Sequence, residues 1–178
     1  GGPTAVINAS LYGVVTEGMA HLDEIEHVYG MVHGIEGFMK DSYMDLSEDV
    51  TQKELELMKL TPAAYLGSCR YKLPKDLTSP VYPMLFRKMD ALDIGYFLYI
   101  GGNDSMDTVS KLSRYASRSG SSIRFVGIPK TIDNDLILTD HTPGYGSAAK
   151  YVASTVREIA LDASVYNQQA VTIIELMG

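Results

Sequence analysis

Apolar residues recur along this chain at two spacings. Near-helical spacing predicts a helix over about 104–119, where Met106, Val109, Leu112 and Tyr115 share a face. It predicts a longer helix over 146–163, with Ala149, Val152, Val156, Ile159 and Ala163 turned inward. Nearer the start, Val50, Leu55 and Met58 share a face of a helix expected over about 48–60, capped by Ser47 and ended by Thr61-Pro62. A first helix is expected over 5–19, with Thr4 as its cap and Pro3 in the preceding turn. Short continuous apolar runs read as strands instead: 27–32, the aromatic stretch 95–100, 124–128 and 170–177. From residue 95 onward the order is strand, helix, strand, polar loop (129–143), helix, strand. A βαβαβ series of this kind folds as an α/β unit, a mostly parallel Rossmann-like sheet with helices on both faces.

No repeat, low-complexity tract or linker interrupts the 178 residues, which leave room for one domain, or two at a stretch. Area scaling gives about 8,500 Å² exposed when folded against about 28,000 Å² unfolded, so a sizeable core is expected. No run of about 18 apolar residues is present to cross a membrane. The net charge is −7 and no Lys/Arg cluster relieves it. That argues against nucleic acid as a partner, because binding a duplex requires a basic face. A polyanionic ligand would have to be held by a few local bases, for which Arg70, Lys72, Lys75, Arg124 and Lys130 are candidates. The single cysteine, Cys69, excludes an intrachain disulfide and fits a reducing cytoplasm. The four histidines show no metal-ligand spacing such as H-E-x-x-H, and the nine methionines read as core filler.

Parallel sheets bind ligands at the carboxyl ends of their strands, and two polar motifs fall there. The first is Gly101-Gly102-Asn103-Asp104-Ser105. Its glycines allow close backbone approach, and the following helix N-terminus suits phosphate. Asp104 would repel a phosphate unless a metal or lysine intervenes, so it is either a plain helix cap or part of a bridged site. The second motif is Pro129-Lys130-Thr131-Ile132-Asp133-Asn134-Asp135. Phosphoryl transfer needs a base for the acceptor's proton and a cation for the moving charge. Asp133 or Asp135 could be the base and Lys130 the cation, or the segment is a solvated loop with Asx turns. A third element, Gly67-Ser68-Cys69-Arg70-Tyr71-Lys72, is either an anion contact made by Arg and Lys or a surface turn.

Taken in order, six segments resemble the phosphofructokinase family: GGPTAVINA at 1–9, GSCRYKL at 67–73, GGNDS at 101–105, PKTIDND at 129–135, PGYGSAAKY at 143–151 and IIELMG at 173–178. TIDND is the most specific of these. The resemblance implies a phosphofructokinase-type fold and phosphoryl transfer to the 1-hydroxyl of fructose 6-phosphate, a glycolytic step that uses Mg²⁺. It implies a cytoplasmic enzyme that is a homo-oligomer in its full-length form. Asp133 falls on the family's catalytic base, with Lys130 and Asp104 beside the reacting group. Thr131, Ile132, Asp133 and Asp135, together with Met177 and Gly178, fall on substrate positions. Gly1, Arg70, Gly102, Asp104, Ser105 and Lys130 fall on the donor-phosphate site, and Asn103 and Asp133 on the metal positions.

The resemblance also bears on the donor. In members that use ATP, the positions of Asp104 and Lys130 are usually glycine. Here an Asp side chain would crowd and repel a nucleotide's α-phosphate region, and a lysine can stabilise a small donor and its leaving phosphate. The pair looks like the pyrophosphate-dependent branch, with ATP as the alternative donor. Asn103 departs from the family's usual acid, and its neutral carbonyl is a weaker ligand for a hard cation. That keeps open a catalytically weak phosphosugar-binding or regulatory chain. The phosphate loop opens the chain without a preceding strand, and the Met-Gly-Arg sugar-phosphate contact stops at Gly178. Residues 1–178 are therefore expected to be a partial domain, the N-terminal donor-site portion of a two-domain enzyme, inactive alone.

Overall fold

The structure, a computed structural model, describes residues 4–176. In chain order it contains α1 (Val6–Ala20), β1 (Tyr29–Met31), α2 (Gly34–Met39), β2 (Tyr43–Asp45), α3 (Gln52–Leu60), α4 (Val81–Ala91), β3 (Tyr96–Gly101), α5 (Asn103–Ser119), β4 (Arg124–Pro129) and α6 (Tyr145–Ala163). These elements form two compact units, Gly1–Lys130 and Thr131–Gly178.

The first unit holds two apolar cores. The larger joins Ile35 and Phe38 of α2, Tyr82, Leu85 and Met89 of α4, Phe97 of β3 and Leu112 of α5. The smaller joins Leu11 and Val15 of α1 to Leu55 and Met58 of α3, with Leu46 and Val50 from the intervening loop. Helix α3 starts later than expected because Thr51, not Ser47, caps it. Thr51 Oγ1 accepts from the Glu54 backbone N–H at 3.3 Å, and the Glu54 carboxylate accepts from the Thr51 N–H at 2.8 Å. Ser47 is already engaged, since its hydroxyl donates to Asp45 and accepts from the Val28 N–H. Thr4 does not cap α1 either: its hydroxyl is buried without a hydrogen bond, and only its carbonyl serves the helix, accepting from Ile7.

The run at 27–32 forms β1, which pairs antiparallel with β2 in the register Tyr29↔Asp45 and Met31↔Tyr43. Helix α4 was not anticipated. Its inward residues Tyr82, Leu85, Phe86 and Met89 keep helical spacing, and Pro83 is tolerated because it falls in the first turn.

Strands β3 and β4 pair in parallel, from Tyr96↔Arg124 to Gly101↔Pro129. Phe97 is buried, but Tyr96 and Leu98 are 53% and 41% exposed. The aromatic run is thus a strand covered on one face rather than a fully buried one. Helix α5 crosses over both strands, and it lies so close that a Cβ at Gly127 would come within 2.6 Å of Met106 Sδ. Among the described residues, strand, α5 and strand form a single parallel crossover.

In the second unit, α6 follows Gly144, whose φ of 101° lies in the left-handed region that glycine tolerates. The face expected to point inward is not covered: α6 contains no buried residue, and Val156 and Ile159 are each 36% exposed. Residues 170–176 do not form the expected third strand. A strand persists through its ladder partners, and none pairs with this segment among the described residues; Val171 and Ile173 are about nine-tenths exposed. The total exposed area, 11681 Å², accordingly exceeds the about 8,500 Å² expected from mass.

Candidate active site

The first candidate cluster lies where β3 passes into α5. The Gly102 carbonyl accepts the Ser105 and Met106 N–H groups at 2.9 and 3.0 Å, which closes the first turn of α5. The Lys130 N–H donates to the Gly101 carbonyl at 3.0 Å, so the end of β4 is tied to the same spot. Ser105 and Lys130 are buried, whereas Asn103 and Asp104 are exposed. Asp104 sits at the positive end of the α5 dipole. Its carboxylate also pairs with Lys72 Nζ at 3.1 Å.

The position of Lys72 follows from its neighbours. Along 70–73, Arg70 and Lys72 are exposed while Tyr71 and Leu73 turn toward the larger core. That alternation sends both cations to one side of an extended segment. Lys111, buried on α5, donates from Nζ to the Leu73 carbonyl at 3.1 Å and pairs with Asp107 at 2.5 Å. One buried lysine thereby fastens the 70–73 segment to the helix that carries Asp104. Arg124, by contrast, is not at this end. It opposes Tyr96 at the start of the parallel pair, with its guanidinium 5.9 Å from the Tyr96 ring centre. At about 3.3 Å per residue it stands roughly 16 Å from the strand ends. Cys69 is half-buried. Burial, with the Cys69 thiol beside it, pushes the Tyr99 phenol above its ordinary value.

The second cluster, in the second unit, is the loop after Lys130. Its backbone is held by side chains. Thr142 Oγ1 donates to the Thr131 carbonyl at 2.7 Å, and the Thr142 N–H donates to Asn134 Oδ1 at 3.0 Å. Asn134 Nδ2 donates in turn to the Asp140 carbonyl at 3.1 Å, from a backbone at φ 54° that Asn tolerates better than most residues. The Thr131 N–H donates to the Pro143 carbonyl, and Thr131 Oγ1 accepts from the Asp133 N–H, both at 3.1 Å. Thr131 is buried, whereas Ile132, Asp133 and Asp135 are exposed. The two acids are exposed, while the backbone that presents them is held by hydrogen bonds. Gly1, Met177 and Gly178 lie outside the described residues.

Three structural features escape the sequence patterns. Thr142 and Asn134 brace the acidic loop, and Lys111 braces the basic segment. The third is a group of ligand-capable atoms on His27, Asp45 and Glu48, all within 4.8 Å of one another. His27 Nδ1 lies 2.6 Å from Asp45 Oδ2. Burial pushes the Asp45 carboxyl up, but hydrogen bonds from Ser47 and His27 outweigh it and hold the group below its ordinary value.

A model of the phosphofructokinase family matches residues 1–178. The pyrophosphate–fructose 6-phosphate 1-phosphotransferase of Rhodospirillum rubrum is 44% identical over 162 residues, which are 91% of this chain and 39% of that protein. The protein of the same name from Halomonas elongata is 41% identical over 182 residues, covering 100% of this chain and 43% of its own length. The crystal structure of a pyrophosphate-dependent phosphofructokinase from Marinobacter aquaeolei superposes with a TM-score of 0.83 at 44% identity, over 92% of this chain and 40% of that one. The chain therefore spans about two fifths of the length of these relatives.

Proposed function

Because the chain belongs to the phosphofructokinase family and has its α/β fold, we propose that it forms the donor side of an enzyme using pyrophosphate to phosphorylate fructose 6-phosphate at its 1-hydroxyl. One observation carries the choice of donor. The end of the β3–β4 pair carries an exposed acid, Asp104, at the α5 N-terminus, and a buried lysine, Lys130, tied to Gly101. A nucleotide's additional phosphate would meet the Asp104 carboxylate. A two-phosphate donor needs no such room, and a lysine shielded from water stabilises its charge more strongly than one in bulk solvent.

In the proposed reaction the sugar's hydroxyl oxygen attacks one phosphorus of pyrophosphate. The bridging P–O bond breaks, orthophosphate leaves, and the hydroxyl proton passes to the Asp133 carboxylate. Thr131, Ile132 and Asp135 would line the acceptor side with Met177 and Gly178. Gly1, Arg70, Gly102 and Ser105 would line the donor side. The oxygen donors of Asn103 and Asp133 are exposed and chemically hard, which suits Mg²⁺. When bound, that ion would neutralise charge on the donor oxygens.

The same proposal makes residues 1–178 the donor portion of a longer, homo-oligomeric chain whose remaining length completes the sugar-phosphate site. A lone free cysteine accords with a cytoplasmic setting. No helix among the described residues is long and apolar enough to cross a membrane. The test is a paired assay of the full-length protein with Mg²⁺, supplying pyrophosphate or ATP. Fructose 1,6-bisphosphate formed from pyrophosphate is the expected result; turnover with ATP alone overturns the donor assignment.

A further inference from the structure

The Asp104 carboxylate poses a charge problem that the proposed reaction does not resolve. It stands among groups expected to receive a polyanion, on the helix end that would otherwise attract one. The structure supplies a counter-charge in Lys72 Nζ, 3.1 Å from Asp104 Oδ2. Both side chains are about three-quarters exposed, so in the resting protein this ion pair contributes little to stability. Yet the fold specifies its geometry. Leu73 is 3% exposed, its carbonyl is held by buried Lys111 of α5, and Tyr71 packs against the larger core. The backbone on one side of Lys72 is therefore tied to the helix that carries Asp104, and the residue on its other side packs against the larger core. Packing that rigid beneath an exposed pair serves placement of charge better than it serves stability.

We infer that Lys72 is a donor-positioning residue: it neutralises Asp104 so that this acid blocks a bulkier donor without expelling pyrophosphate. This rests on the reading of pyrophosphate as donor. The pair adds no net charge at the helix end. The α5 dipole and Arg70 then act on the donor without the Asp104 charge against them, while the Asp104 side chain still occupies its space. Without Lys72, the same carboxylate would face an incoming polyanion uncompensated.

The experiment is a double-mutant cycle in the full-length enzyme, reading the KM for pyrophosphate, the KM for the sugar phosphate, kcat and the salt dependence of each. Lys72→Ala is expected to raise the pyrophosphate KM about tenfold, the low end of the coupling measured for close charge pairs. The sugar KM should stay unchanged, and Lys72→Arg should restore the wild-type value. In an Asp104→Asn background, Lys72→Ala is expected to change the pyrophosphate KM less than about threefold, because no bare carboxylate remains. Equal effects in the two backgrounds would overturn the inference, since Lys72 would then act on the donor independently of Asp104. So would an unchanged pyrophosphate KM, or an equal rise in both KM values. If the wild-type enzyme turns over with ATP and not with pyrophosphate, the donor reading itself fails, which is a separate outcome.

Discussion

Replacing Thr142 with valine keeps the side chain's shape and removes one hydroxyl. Thr142 is 3% exposed and donates at 2.7 Å to the carbonyl of Thr131, itself 7% exposed. Water has little access to take over as donor. The net loss of a hydrogen bond costs about 1 kcal/mol, rising toward about 3 kcal/mol if the carbonyl is left dry. The added methyl recovers less than about 1 kcal/mol by burial. The expected balance is about 1–2 kcal/mol of destabilisation, confined to the loop that carries Asp133. Amide hydrogen exchange resolves it, because local opening is read residue by residue. Protection at Thr131, Asp133 and Thr142 should fall roughly 5- to 30-fold, and protection within α5 should not change. In the full-length enzyme kcat should fall while the pyrophosphate KM holds. Unchanged protection in the loop would refute the claim that Thr142 braces it. An equal loss in α5 would show that the damage is global instead.

Leu112→Ala should cost about 2–5 kcal/mol in urea denaturation, since Leu112 is fully buried in the larger core beneath β3. Asp45 supplies a pH dependence. Its folded-state pKa lies below the ordinary value of 3.8, so its stabilisation is fully present above about pH 3.8 and is lost as pH falls through the folded value. The stability gap between wild type and Asp45→Asn should therefore be present above about pH 3.8 and close as pH falls through the folded value, as followed by denaturation at stepped pH. Asn103→Asp should raise kcat about tenfold at limiting Mg²⁺ by replacing a neutral oxygen with a carboxylate; unchanged Mg²⁺ dependence would place the ion elsewhere.

The parallel pair with its crossing helix was legible because three independent signals agree there. The runs at 95–100 and 124–128 are too short and too apolar for helices. The intervening stretch keeps helical spacing through Leu112, and glycine ends both β3 and α5. Where such signals separate, the reading fails for physical reasons. Two cap-forming residues, Ser47 and Thr51, precede the same apolar face, and only the fold decides which is spoken for. Ser47 goes to Asp45, and Thr51, with Glu54 three residues on, makes the reciprocal cap. The apolar pattern of α6 and of 170–176 reports a tendency to be covered. It does not say that the cover lies within these residues, and Val171 and Ile173 remain open to solvent.

The site divides along the same line. Glycine-rich turns and acids at strand ends are local features, so Asp104, Lys130 and the Thr131–Asp135 motif could be read directly. What orients them is made by residues remote in sequence. Lys72 meets Asp104 next to the point where Lys111, two turns along the same helix, bonds a backbone carbonyl of the 70–73 segment. The His27–Asp45–Glu48 group arises from strand register. Pairing Tyr29 with Asp45 brings a histidine just before β1 to a carboxylate at the end of β2. A search for histidines at helical spacing cannot find a group assembled across a hairpin. Motifs therefore name candidate groups for a ligand, while the charge those groups present is set by partners that only the fold supplies. The consequence is sharpest at Asp104: alone it reads as a carboxylate that would repel phosphate, and the Lys72 partner at 3.1 Å, invisible in the motif, is what offsets its charge in the proposed donor site.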